Sequence, residues 1–150
     1  MALKQQVSNV YGVGLQNVGS YQVAGRPFIT GSFLTGASPA NKIPQVGTEP
    51  FTEIAVNFPT VTKSLTVWNY SADPASKLRI TFASTGSMTN YPANGCYSEL
   101  GWRDSITLTL KCKTVYLSAV SGDVLWKLYA SLTNIPHERM YVLTGSGISE

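Results

Sequence analysis

In residues 106–113 apolar and polar side chains alternate without a break: Ile106, Leu108, Leu110 and Cys112 fall on one side, Thr107, Thr109, Lys111 and Lys113 on the other. That is the period of a half-buried strand, whose successive side chains point to opposite faces. Residues 126–132 repeat it, with Trp126, Leu128, Ala130 and Leu132 opposite Lys127, Tyr129 and Ser131. Between the two runs Ser121, Gly122 and Asp123 supply turn chemistry. A sheet with one apolar and one wet face must bury the apolar one against a second layer, for which sandwiches and barrels are the usual solutions. At 150 residues one core is enough, since roughly two thirds of the unfolded surface of such a chain can be buried.

Shorter alternating runs extend the pattern along the chain. Residues 26–35 read as a strand broken by a bulge at Gly31. Ile54, Val56 and Phe58 alternate with Ala55 and Asn57; Leu65, Val67 and Asn69 alternate with Thr66 and Trp68; Leu78, Ile80 and Phe82 alternate with Arg79 and Thr81. Residues 140–144 are a last strand candidate. Two stretches rich in Gly, Pro, Asn and Ser, residues 36–50 and 84–102, read as surface loops. Residues 133–140 read as a connection. The expected fold is all-β, a single antiparallel β-sandwich of jelly-roll or immunoglobulin-like type over residues 26–150, preceded by an extended N-terminal arm over residues 1–25. Its expected core comprises Ile54, Val56, Leu65, Val67, Ile80, Phe82, Ile106, Leu108, Leu110, Cys112, Leu128 and Leu132.

The arm is too rich in glycine for a stable helix and too apolar for a solvated tail. Val7, Val10, Val13, Leu15, Val18 and Tyr21 need something to lie against. Either the arm adds a strand to its own sheet edge or it reaches a neighbouring subunit by strand addition, and these residues are the candidate assembly interface.

Charged residues make up 13% of the chain, about half the ~25% of an average globular protein. Hydroxyl and amide side chains fill the deficit and are cheaper to desolvate than ions, which suits contact with other protein. The net charge of +3 comes from Lys and Arg scattered singly, not gathered into the patch that a nucleic-acid binder of this size carries; nucleic acid is not an expected partner. No run approaches the ~18 apolar residues of a membrane span, and no membrane partner is expected.

Catalytic and metal-binding patterns are sparse. With His137 as the one histidine, a Ser-His-Asp arrangement would have to draw all its members to one loop. Two cysteines and one histidine fall short of the four ligands of a closed zinc site. Glu49 and Glu53, and Glu99 and Asp104, are close pairs in sequence, read more simply as surface charge, or in the second case as an ion pair with Arg103, than as carboxylates facing across a cleft. Glu99 and Asp104, beside Trp102, are the best remaining catalytic candidates, because an indole can exclude water from a neighbouring carboxyl. The expectation is a protein that is not an enzyme and takes no cofactor and no metal. Tyr91, Tyr97 and Trp102, with Asn90, Asn94 and Arg103, form a constellation suited to a glycan or a partner protein; the alternative for Trp102 is that it closes one end of the core.

Residues 12–31, Gly-Val-Gly-Leu-Gln-Asn-Val-Gly-Ser-Tyr-Gln-Val-Ala-Gly-Arg-Pro-Phe-Ile-Thr-Gly, resemble the glycine-rich N-terminal segment of small virion structural proteins of tailed phages, particularly those of marine cyanobacterial phages. Residues 65–69, Leu-Thr-Val-Trp-Asn, and the block Ala-Ser-Leu-Thr-Asn-Ile-Pro-His-Glu-Arg-Met-Tyr-Val-Leu-Thr-Gly-Ser-Gly-Ile over residues 130–148 add to the likeness. The resemblance implies a capsid decoration or cement protein, synthesised in the host cytoplasm and located in the virion. It further implies capsid or other virion proteins as partners and a homo-oligomeric state. A carbohydrate-binding or adhesion module of a phage fibre or spike is the alternative.

Overall fold

The computed structural model describes residues 26–35, 38–40, 42–44, 53–85, 95 and 97–140. The arm of residues 1–25 and the strand candidate beyond Met140 lie outside the described residues.

The fold is a β-sandwich of two four-stranded antiparallel sheets. The chain runs β1 (Arg26–Gly31), β2 (Phe33–Thr35), β3 (Ser38–Ala40), β4 (Glu53–Asn57), β5 (Thr60–Asn69), β6 (Lys77–Thr81), β7 (Ser98–Leu100), β8 (Ser105–Leu108), β9 (Thr114–Ser121) and β10 (Trp126–Pro136), and a 3-10 turn spans His137–Arg139. The first sheet has the order β1-β10-β5-β8, the second β4-β9-β6-β7, and β2 and β3 form a separate two-stranded ribbon.

The alternation read from the sequence is what fills the space between the sheets. Leu65 and Val67 of β5 pair with Ala130 and Leu128 of β10 on one side and with Leu108 and Ile106 of β8 on the other. These inward rows meet Val56, Leu78, Ile80, Leu100, Val115, Leu117 and Ala119 from the second sheet. Phe58, just after β4, is buried and meets Phe28 of β1 edge to face at 5.3 Å between ring centroids. Burying a side chain such as Leu65, Leu117 or Leu128 contributes about 1.5–3 kcal/mol each.

Several expectations need correction. The run through 106–113 ends as a strand at Leu108, and β8 pairs with β5 and not with β10. Cys112 is buried as expected, but its backbone joins no strand. Its N–H donates to Thr62 Oγ1 at 3.0 Å, and its carbonyl accepts from the Thr62 N–H at 3.0 Å. The Ser-Gly-Asp turn follows β9, a strand the pattern reading overlooked, and carries the chain from the second sheet to the first. It is therefore a crossing between layers and not a hairpin. Gly122 sits there at φ +72°, a conformation that favours glycine.

Ile54, Phe82, Ile106, Leu108 and Leu110 are only partly buried and flank the core instead of filling it. β6 is buried on both faces, since Arg79 and Thr81 are covered as well as Leu78 and Ile80. The 36–50 stretch is not simply surface: Ile43 is fully buried and bridged to Val124. Likewise 84–102 contains β7, and β10 continues through Pro136 into the expected connection. A register shift between Leu132 and Pro136 follows the one between Ser131 and Leu132, and beyond Leu132 the buried residues change parity to Thr133 and Ile135.

Candidate functional site

Several candidate site residues lie outside the described chain, and Tyr97 and Trp102 engage different arginines. Val7, Val10, Val13, Leu15, Val18, Tyr21 and Tyr91 are outside the described residues. Tyr97 lies against the Arg79 guanidinium, 4.1 Å from its ring centroid, and Arg79 Nε donates to Glu99 Oε2 at 3.2 Å. Lys77 Nζ lies 3.5 Å from the other Glu99 oxygen. Glu99 is thus a partner of two cations on the outward side of the second sheet, where Arg79 and Glu99 stand opposite each other in register.

Trp102 is 39% exposed, in the turn between β7 and β8, with the Arg103 guanidinium 4.7 Å from its ring. It does not close the core. Buried Asn69 secures that end of β5: its Nδ2 donates to the Gly101 carbonyl at 3.0 Å, its Oδ1 accepts from the Ser71 N–H, and its backbone N–H donates to the Asp104 carbonyl. Asp104 thereby engages the chain through its backbone.

His137 Nδ1 stands 3.0 Å from the Phe58 carbonyl, at the start of the 3-10 turn. Among the described residues, no three His, Cys, Asp or Glu side chains come together to hold a metal. No described helix is long and apolar enough to cross a membrane.

Cys112 has a free thiol. Burial pushes it up to about 11, against a smaller opposing effect of the hydrogen bond with Thr62. Because the thiolate is the nucleophile, we expect Cys112 to resist a neutral-pH alkylating reagent in the folded protein and to react once denatured, read in a Cys96→Ser background by mass spectrometry. The folded thiol holds its proton more tightly than the unfolded one. This contribution to stability is complete below pH 9 and declines as pH rises from 9 toward about 11. Rapid labelling of the native protein at neutral pH would show that Cys112 is not enclosed.

A coherent feature among the described residues is the outward face of the first sheet. Its strand registers place Gly31, Lys127, Trp68 and Ser105 in one row across all four strands, Ile29, Tyr129, Thr66 and Thr107 in the next, and Pro27, Ser131 and Ser64 in a third. Ile29 is 66% exposed, Tyr129 41% and Trp68 40%. The Trp68 ring leans on Tyr70 at 5.7 Å and 48°, and Tyr70 donates its hydroxyl proton to the Ser32 carbonyl at 2.7 Å. Lys127 Nζ lies 5.8 Å from the Tyr70 centroid. The Tyr70 phenol titrates above its ordinary range, chiefly through burial and secondarily through the nearby Tyr129 phenol. Thr66 and Thr107 join hydroxyls at 2.9 Å. A shallow hollow of about 300 Å³ opens beside Tyr129, between Ile29 and Thr66.

The signal of this cluster is present in the sequence: Trp68 and Tyr129 occupy the wet side of alternating runs, where a solvated strand would carry small or charged residues. No family model, curated protein or solved structure matches the chain.

Proposed function

We propose that this protein is a non-catalytic structural subunit that assembles with copies of itself and with neighbouring proteins of a tailed-phage virion, as a capsid decoration or cement protein. The observation that supports this reading is the position of β1. It is an edge strand of the first sheet, paired with β10 alone among the described residues, and the arm of residues 1–25 leads directly into it at Arg26. An open edge offers unpaired N–H and C=O groups to another strand. A glycine- and valine-rich arm attached there can supply that strand to a neighbour, main-chain hydrogen bonds giving affinity and alternate side chains giving fit. Pro27 withholds a donor, so the pairing stretch is Phe28–Gly31 in this reading.

A protein that binds only an assembled lattice stabilises it by mass action, in proportion to RT ln(1 + [L]/Kd). The low charge and the likeness of residues 12–31 and 130–148 to small virion proteins support the same reading.

The test is incorporation into particles. Full-length protein is expected to co-sediment with purified virions at fixed stoichiometry, whereas full-length protein carrying Val10→Asp and Val13→Asp is expected to be lost from them while keeping its far-UV spectrum. Absence of the unmodified protein from particles, or equal incorporation of the variant, would overturn the proposal.

A further inference from the structure

We propose that the outward face of the first sheet is a binding platform for a neutral, β-linked polysaccharide, with Trp68 and Tyr129 stacking on successive sugar rings. The inference does not rest on the assembly reading, which concerns the arm and the β1 edge.

Three features of the face select this ligand. The first is shape. Trp68 is opposite Lys127 and Tyr129 is opposite Thr66, so the two aromatics are diagonal neighbours on adjacent antiparallel strands. Diagonal side chains lie ~7–8 Å apart, within reach of large rings. Both rings are about 40% exposed on a sheet, not sunk in a cleft. Pyranoses linked through equatorial bonds present flat C–H faces in succession, which is the shape such a surface can take.

The second is charge. At the outward positions of the three rows Lys127 is the one cation, and there is no carboxylate. Single-stranded nucleic acid also stacks on aromatic residues, but it needs a basic groove to follow its phosphates, and one lysine does not make one. The remaining polar groups are hydroxyls, among them Ser64, Thr66 and Ser131 around the hollow beside Tyr129. These can donate to and accept from sugar hydroxyls without the desolvation cost of ions.

The third is area. Four strands at ~4.8 Å spacing and three rows at ~6.8 Å make a face of roughly 200–400 Å². That is well below the ~800 Å² per partner of a stable protein–protein interface, and of a size for a short run of sugar rings. The Tyr70 hydroxyl bond to Ser32 fixes the ring on which Trp68 leans, so the platform is held in place before any ligand arrives.

The test is isothermal titration calorimetry of the full-length protein with cellohexaose and chitohexaose, with maltohexaose as the α-linked control and a dodecamer of thymidylate as the nucleic-acid control. Saturable binding of at least one β-linked hexaose is expected, together with weaker or no binding of the other two probes. Trp68→Ala and Tyr129→Ala should each weaken it by about tenfold or more, the worth of one desolvated stacking contact. Trp102→Ala should leave it unchanged, and thermal melts should show all three variants folded.

Failure of both β-linked hexaoses to bind at millimolar concentration would overturn the proposal, as would tighter, Trp68-dependent binding of the thymidylate. A change of solution mass in Trp68→Ala without glycan binding would identify the face as a protein interface and overturn it equally. The glycan test reads Trp68 and Tyr129 whereas the assembly test reads Val10 and Val13, so the two proposals can fail separately.

Discussion

Leu128→Ala is expected to lower the unfolding free energy by about 2–5 kcal/mol, whereas Leu108→Ala is expected to cost about 1 kcal/mol, half the worth of a full burial. The two leucines belong to the same alternation and look equivalent in sequence. Leu128 is fully buried in β10, with Thr30 of β1 on one flank and Val67 of β5 on the other. Its removal leaves a cavity walled by paired strands that cannot collapse into it. Leu108 ends the edge strand β8, is only partly buried, and has a paired neighbour on one side alone among the described residues. Denaturant titration with unchanged m-values would read the difference. Equal losses at the two positions would show that β8 is not an edge of the core.

Gly31→Ala is expected to cost about 2–5 kcal/mol, the sum of backbone strain and overpacking, although it adds one methyl group. Gly31 closes β1 at φ +154°, and a Cβ there would run into the Trp126 carbonyl and come within 3.0 Å of Lys127 Cα. That carbonyl accepts the Ser32 N–H at 2.9 Å where the chain leaves the sheet. The methyl group must therefore displace the strand end and the hydrogen bond that fixes it. A Gly31→Ala protein within 0.5 kcal/mol of the original, a margin typical of neutral surface changes at about that size, would mean that β1 does not approach β10 so closely.

The inward rows of β5 and of β10 up to Leu132 could be read from alternation because each needs only local sequence and one buried face. β9 was overlooked for a different reason. Val115, Leu117 and Ala119 alternate as clearly as their neighbours, but a Ser-Gly-Asp turn says that the chain changes direction, not which sheet it enters next. Two strands joined by a short turn read as a hairpin until the opposing layer is known.

Arg79, Thr81 and Ser118 are buried on what alternation assigns to the wet face, and their burial depends on what else in the fold covers the sheet. The aromatic platform has the same non-local origin. Trp68 and Tyr129 come together through the antiparallel register of β5 and β10, which no short window contains. In the expected loop cluster, Tyr97 and Trp102 are close in sequence, but β7 lies between them along the chain and each engages its own arginine.

The central claim, that the arm of one chain completes the β1 edge of another, is tested most directly by the solution mass of the full-length protein. Sedimentation equilibrium is expected to give a concentration-dependent oligomer for the unmodified chain. It should give a folded monomer for the chain carrying Val10→Asp and Val13→Asp. A monomer in both cases, or the same oligomer in both, would contradict the account.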